Sequence, residues 1–445
     1  MSTLVPIIPF EPTSPNRRAE AEAFIARHTT RDSQDDPTVR EVAERIVEDV
    51  RQKGDTALFA YTKEFDKASI TPDTIKVTET EIQEALASIS PELKTTIKKA
   101  AERIRTYHQR QRQNSWFDAS NEGEILGQLV LPVDAAGVYV PGGTAAYPSS
   151  VLMNIIPAQV AGVKRIVVAT PPDSNGKIFP ATLAAAAEAG ATEIYKMGGA
   201  QAIAALAFGT ETILRVDKIV GPGNIYVAMA KRAVFGYVGI DSVAGPSEIA
   251  IVADDTANPV YVAADMLSQA EHDERASSIL ITTSQVLAEA VQEELIRQAS
   301  VLDRHEIIFA SLKNNGLIIL TDDIKDAFHL ANAVAAEHLE ICTADPFEKL
   351  TFVRHAGAVF LGNYTPEPLG DYMAGPNHVL PTDGTARFFS PLSVDDFIKK
   401  TSVLSFSQEA LERLREDVVL FARSEGFDAH ANAVDIRAMH TTHRG

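Results

Sequence analysis

The sequence predicts an α/β protein in which two α/β units stand between a helical N-terminal layer and a small helical C-terminal domain. Three observations carry that expectation. Residues 134–252 alternate short apolar strands with longer helical runs, the rhythm of βαβ units. Residues 257–361 repeat the rhythm after a helix at 257–271. At 445 residues the chain also exceeds what one hydrophobic core usually organises, so more than one unit is expected.

From 37 to 53 the apolar positions Val39, Val42, Ala43, Ile46, Val47 and Val50 recur at helical spacing, with Pro37 at the start and Gly54 just past the end. Helical pattern continues through 79–87 and 91–113, so the first part of the chain reads as scaffold without visible chemistry. Strands are expected at 137–140, 165–169, 193–197, 218–220 and 248–252, and again at 278–282, 316–320, 338–342 and 356–361. The Pro- and Gly-rich stretch 365–384 reads as a long ordered loop, a length that often marks function. Helical pattern returns at 394–400 and 408–422, followed by the polar tail 423–445.

Composition narrows the function classes. With 45% hydrophobic and 23% charged residues the chain is globular rather than disordered. Its 41 basic against 60 acidic residues, a formal charge of −19, repel polyanions, so no nucleic acid is expected as a partner. Cys342 is the single cysteine, which excludes an intrachain disulfide and a thiolate cluster. Any metal would then use His, carboxylate or amide ligands. The N-terminus MSTLVPIIPFEP has no basic region, and its apolar run is broken by Pro6 and Pro9, which argues against a signal peptide. No apolar stretch approaches the roughly 18 residues of a membrane helix. A soluble, cytoplasmic protein without membrane contact is expected.

Strand ends that turn through glycine into a helix present backbone N–H groups beside a crevice, which suits a pyrophosphate. The chain has such turns at VYVPGG (138–143), KMGGAQ (196–201) and VGPGN (220–224). None is the GxGxxG fingerprint, so the two units are Rossmann-like but incomplete. Tyr139, Gln201 and Asn224 sit at these turns, where each serves either to contact a nucleotide or to cap and pack. In AGPSE (244–248), Ser247 either donates to a substrate or closes a local turn. Gln269 and His272, three apart on a helix, share a face as two ligands to one cation would; a solvated helix end is the other reading. Asp371 and His430 are available as further ligands, although no spacing rule joins these four residues. In AVAAEHLEICT, Glu337 and His338 stand just before a strand, placed either for one to hold a water and the other to remove an alcohol proton, or simply as neighbouring polar residues at a strand edge. Cys342 on the same strand offers a rival, a nucleophile for aldehyde oxidation, or else a core residue.

The strings GVYVPGG, GGAQAIAALAFGT, VDKIVGPGN, AGPSE, SQAEHDERASS, AAEHLEI, GDYMAGPNHVLPT and EGFDAHANAV occur in this order between residues 136 and 437. Together they resemble the histidinol dehydrogenase family. The resemblance implies one zinc per site, held by Gln269, His272, Asp371 and His430, that orients the substrate's imidazole and amino nitrogens. It implies His338 as the base toward the hydroxyl of L-histidinol and Glu337 as the activator of water in a second oxidation. Two molecules of NAD would be reduced in turn as histidinol passes through histidinal to histidine, the last steps of histidine biosynthesis. Ser247, His378 and Glu425 match substrate-contacting positions, and Tyr139, Gln201 and Asn224 match NAD-contacting ones.

An intertwined homodimer is implied as well, the C-terminal tail reaching into the partner's site with His430 and Glu425. The expected division is 30–136 with 248–390 as the first α/β domain and its helical layer, 137–247 as the second on the NAD side, 1–29 with 391–419 as a small helical domain, and 420–445 as the tail. The nearest alternative is a paralogue with the same zinc and NAD apparatus acting on another small alcohol, such as a sulfonated diol. A non-catalytic binding protein on the same scaffold would lack the acid–base pair that Glu337 and His338 supply.

Overall fold

A computed structural model of the chain describes residues 4–12, 14–29, 36–142 and 146–439. Gly143 of the first glycine turn, the segment 30–35 and the end of the tail at 440–445 therefore lie outside the described residues. The chain divides into two units, Met1–Gln111 with Val133–Phe397, and Arg112–Pro132 with Ile398–Gly445.

The first unit contains two sheets, both parallel throughout. The larger has the order Ile7–Phe10, Gly316–Thr321, Ser277–Thr282, Glu248–Ala253, His338–Cys342, Ala358–Leu361. Three of its four inner strands, Ser277–Thr282, Glu248–Ala253 and His338–Cys342, are buried along their whole length, as unbroken apolar runs require when helices cover both faces. The smaller has the order Glu193–Lys196, Arg165–Thr170, Ala135–Tyr139, Lys218–Val220, Gly239–Ile240. Counted along the chain, that order is 3-2-1-4-5. The larger sheet repeats it from Glu248–Ala253 onward and adds Ile7–Phe10 beside its third strand. In each sheet the order reverses between the first and fourth strands, where a crevice opens.

Side-chain alternation divides the core of the smaller sheet between its faces. Tyr139, Val167 and Ala169 join one cluster with Ile46, Val47 and Val50 of the helix Pro37–Lys53. Val138, Ile166 and Val168 join another with Ile97, Ala101 and Ile104 of the helix Pro91–Gln109. The period-2 pleat of a strand and the 3.6-residue period of a helix produce this partition. Asp36 fixes the start of Pro37–Lys53, its Oδ1 accepting the N–H groups of Thr38 at 2.8 Å and Val39 at 3.4 Å. The expected α/β fold is borne out, and among the described residues no helix is long and apolar enough to cross a membrane.

Two segments depart from the expected pattern. The helix expected at 394–400 is a single short turn, Val394–Phe397, followed by the strand Ile398–Phe406. That strand pairs antiparallel with Glu124–Pro132 along its full length, and the long-range pairing overrides a short local helical pattern. Trp116–Asp118 completes this three-stranded sheet of the second unit, beside the helices Gln408–Ser424 and Asp428–Met439. Near the N-terminus, Ile7–Phe10 is a strand of the larger sheet rather than part of a helical layer.

Candidate active site

Tyr139, Gln201 and Asn224 line one cavity of about 720 Å³ at the carboxyl ends of the smaller sheet. Tyr139 ends its strand and is buried; its hydroxyl accepts the N–H of Gly199 at 3.1 Å, and burial pushes its phenol up to about 12. Gln201, in the first turn of the helix Gly199–Phe208, is fully buried, yet neither its amide nitrogen nor its oxygen has a hydrogen-bond partner in the structure. Such a group costs about 1–3 kcal/mol unless a ligand satisfies it. Asn224 caps the helix Ile225–Val234, its Oδ1 accepting the N–H groups of Tyr226 and Val227, both at 3.1 Å. It therefore both caps a helix and faces the cavity.

The turn after Lys218–Val220 is held from two sides. Gly221 donates its N–H to Asp241 Oδ2 at 2.8 Å, and its carbonyl accepts Lys231 Nζ at 3.0 Å; Lys231 and Asp241 form a buried ion pair. Gly221 has φ +115°, and a Cβ there would strike the carbonyl oxygen of Tyr139. Gly221→Ala is expected to lower stability by about 3 kcal/mol, read from denaturant midpoints, through backbone strain and the clash together. A variant of unchanged midpoint would show that the turn can move.

A second cavity, of about 290 Å³, shares Pro141 with the first. Ser247, Gln269, His272, Glu337, His338, Asp371 and His378 all line it. It lies where the glycine turn 221–223, beyond the carboxyl end of one strand in the smaller sheet, meets the starts of Glu248–Ala253 and His338–Cys342 in the larger. The helix carrying Gln269 ends at Ala270, and His272 follows in a tightened turn, its N–H reaching Gln269 O at 3.2 Å. Gln269 is fully buried, with both amide atoms unpartnered. Asp371 lies on a π-helical turn, Gly370–Ala374, a distortion that recurs at functional sites. Of the neighbours in the same loop, Asn377 is spent on structure: its Nδ2 donates to Met153 O at 2.6 Å and its Oδ1 accepts Val379 N–H at 2.9 Å. His378 is left to the cavity.

Burial sets the protonation of this site. His338 Nδ1 lies 3.2 Å from the backbone carbonyl of Glu248, which can only accept, so the proton resides on Nδ1 and Nε2 keeps its lone pair. Nε2 is buried with no hydrogen-bond partner. Burial holds the imidazole down to about 4, against the opposing charge of Asp371, so His338 is neutral at pH 7. Glu337 Oε2 accepts the N–H of Glu248 at 3.1 Å, and burial raises its carboxyl well above the usual range.

Glu367 has no role in the sequence reading. Its Oε1 lies 3.7 Å from His338 Nε2, and it is hydrogen-bonded to Asp371; burial first, then the charge of Asp371, pushes it up to about 8. Among the described residues, His338, Glu367 and Asp371 are the group whose ligand atoms all come within 4.8 Å of one another. The available signal was the spacing of Glu367 and Asp371, four apart in the long loop and so on one side of a helical turn. Cys342, the rival nucleophile, belongs to the core with Ile249 and Ile251 and lines neither cavity; burial raises its thiol. Glu425 and His430 lie in the second unit, at the end of Gln408–Ser424 and in Asp428–Met439, and both are exposed.

A family model described as histidinol dehydrogenase matches residues 29–438. The chain belongs to the histidinol dehydrogenase family. The histidinol dehydrogenase of Geobacillus kaustophilus is 57% identical over 392 residues, 88% of this chain and 92% of that one. The Clostridium acetobutylicum histidinol dehydrogenase is 52% identical over 418 residues, 94% and 96% of the two chains. In three dimensions the chain matches the crystal structure of histidinol dehydrogenase from Elizabethkingia anophelis with a TM-score of 0.90 and 36% identity, covering 99% of this chain and 100% of that one. The family match thus spans the strands and loops that supply both cavities of this histidinol dehydrogenase family member.

Proposed function

We propose that the protein oxidises L-histidinol through L-histidinal to L-histidine. The observation that carries this reading is the convergence of Ser247, Gln269, His272, Glu337, His338, Asp371 and His378, from separate segments, on one cavity beside a second one large enough for part of a dinucleotide. His338 Nε2, neutral and unpartnered, takes the proton of the substrate hydroxyl. Glu337, tethered through Oε2 to Glu248 N–H, presents its other oxygen to a water and removes the proton as that water adds to the aldehyde carbon. His338 returns its first proton to the aldehyde oxygen as the water adds, and so is free to take a proton from the resulting hydrate in the second oxidation. NAD supplies the hydride acceptor for each of the two oxidations. Gln201, whose buried amide lacks a protein partner, and the wall formed by Tyr139 and Asn224 fit such a cofactor.

The unpartnered amide of Gln269 beside His272 and Asp371 fits a cation held by oxygen and nitrogen donors. Gln269, His272, Asp371 and His430 would hold zinc, whose contribution is to bind and orient the imidazole and amino nitrogens of the substrate. The second unit supports a homodimer in which the tail serves the partner. Its buried apolar side chains among the described residues are Ala410, Val419 and Ala431, whereas Leu404, Leu420 and Phe421 are each at least 67% exposed. So small a core does not hold a unit of this size alone, and an apolar surface of this kind calls for a cover.

A sulfonated diol suits the cavity less well. Glu337, Glu367 and Asp371 line it, while its lysine, Lys231, is engaged by Asp241. Carboxyl oxygens can accept hydrogen bonds from an amine and an imidazole, whereas a sulfonate finds no unengaged lysine or arginine among the described lining residues. NADH release measured with L-histidinol against a panel of small alcohols is expected to single out histidinol. Turnover of a sulfonated diol with none of histidinol would overturn the assignment.

A further inference from the structure

The cavity of about 720 Å³ contains a carboxylate that the protein itself leaves unused. Asp66 closes the helix Asp55–Phe65, and its Oδ2 is buried without a hydrogen-bond partner. Burial raises its acid to about 6, so it is mostly ionised at neutral pH. Its Oδ1 stands beside the glycine turn after the third strand, 3.3 Å from where a Cβ on Gly198 would be. At that turn the N–H of Gly199 is already donated to Tyr139. A phosphate placed there would meet a carboxylate and an occupied donor.

The other acid on this wall is Asp173, which follows the second strand, where dinucleotide-binding sheets commonly place the acid that binds ribose. Here its Oδ1 accepts the N–H groups of Asn175 at 2.8 Å and Lys177 at 2.9 Å, so it fastens its own turn. No Lys, Arg or His is among the described residues lining the cavity. A 2′-phosphate on the adenosine ribose would therefore find two carboxylates and no cation. Hydroxyl groups would find an ionised acceptor without competition.

We infer that Asp66 accepts the adenosine ribose hydroxyls of bound NAD and makes the site select NAD over NADP. The inference rests on the NAD reading above and assigns the ribose-binding acid to a helix end rather than to a strand end of the sheet.

Calorimetric titration of the full chain, without alcohol substrate, tests it with NAD, NADP and an NAD lacking the adenosine 2′-hydroxyl. The wild-type chain is expected to bind NAD about tenfold or more tightly than either analogue. In Asp66→Asn, NAD binding is expected to weaken by about tenfold or more while NADP binds no worse, so the preference collapses. Unchanged NAD affinity in Asp66→Asn, or an unchanged ratio of NAD to NADP, would overturn the role of Asp66 and leave the NAD reading standing. Equal wild-type affinity for NAD and its 2′-deoxy form would overturn it as well, without recourse to any variant. Absence of NAD binding to the wild-type chain would instead overturn the cofactor reading itself.

Discussion

Replacing His338 with asparagine is expected to lower the turnover of L-histidinol by about 10²–10⁴-fold, the usual worth of a positioned general base. Asparagine keeps a polar group near Glu248 O, but it has no lone pair of imidazole basicity to take the hydroxyl proton. Zinc content, measured by elemental analysis, should be unchanged, because the proposed ligands are Gln269, His272, Asp371 and His430. The zinc measurement matters because His338 also lies within 4.8 Å of Glu367 and Asp371, close enough for all three to bind one ion. Loss of zinc together with loss of turnover would recast His338 as a ligand. Undiminished turnover would remove it from the chemistry altogether.

His430→Ala is expected to abolish zinc retention and activity, and mixing it with His338→Asn should restore part of the activity. If the tail of each subunit completes the partner's site, a mixed dimer collects both defects in one site and leaves the other intact. Each parent variant is inactive alone, so any recovered turnover has to arise from such hybrids. No recovery after unfolding and refolding the mixture, with dimers verified by mass, would mean that each chain builds its own site.

Much of the parallel architecture was legible because strands buried on both faces read as apolar runs, and residues 165–169, 218–220 and 278–282 do so plainly. The start of Ile398–Phe406, residues 398–400, was read as helix because its partner, Glu124–Pro132, lies far away in the chain and carries most of the instruction to extend. The active-site residues divide the same way. Gln269 and His272 announce themselves by helical spacing, and Glu337 with His338 by adjacency, whereas Asp371 and His430 came from family resemblance alone. Glu367 escaped because its four-residue spacing from Asp371 falls in a stretch that reads as loop, and its chemistry arises from burial against His338. Asp66 escaped because its segment looked like scaffold, and only the folded chain puts that helix end on the cavity wall.

The edge strand Ile7–Phe10 has a consequence for how the chain is made. Its partner, Gly316–Thr321, is synthesised some 300 residues later. At about 5–20 residues per second the first strand leaves the ribosome roughly 15 to 60 s before it can dock. Through that interval IIPF is an apolar ribbon whose sheet neighbour has not yet been made. The two prolines that flank or interrupt it, Pro6 and Pro9, offer no N–H to a foreign strand, so they protect the waiting segment from pairing wrongly before its own sheet exists.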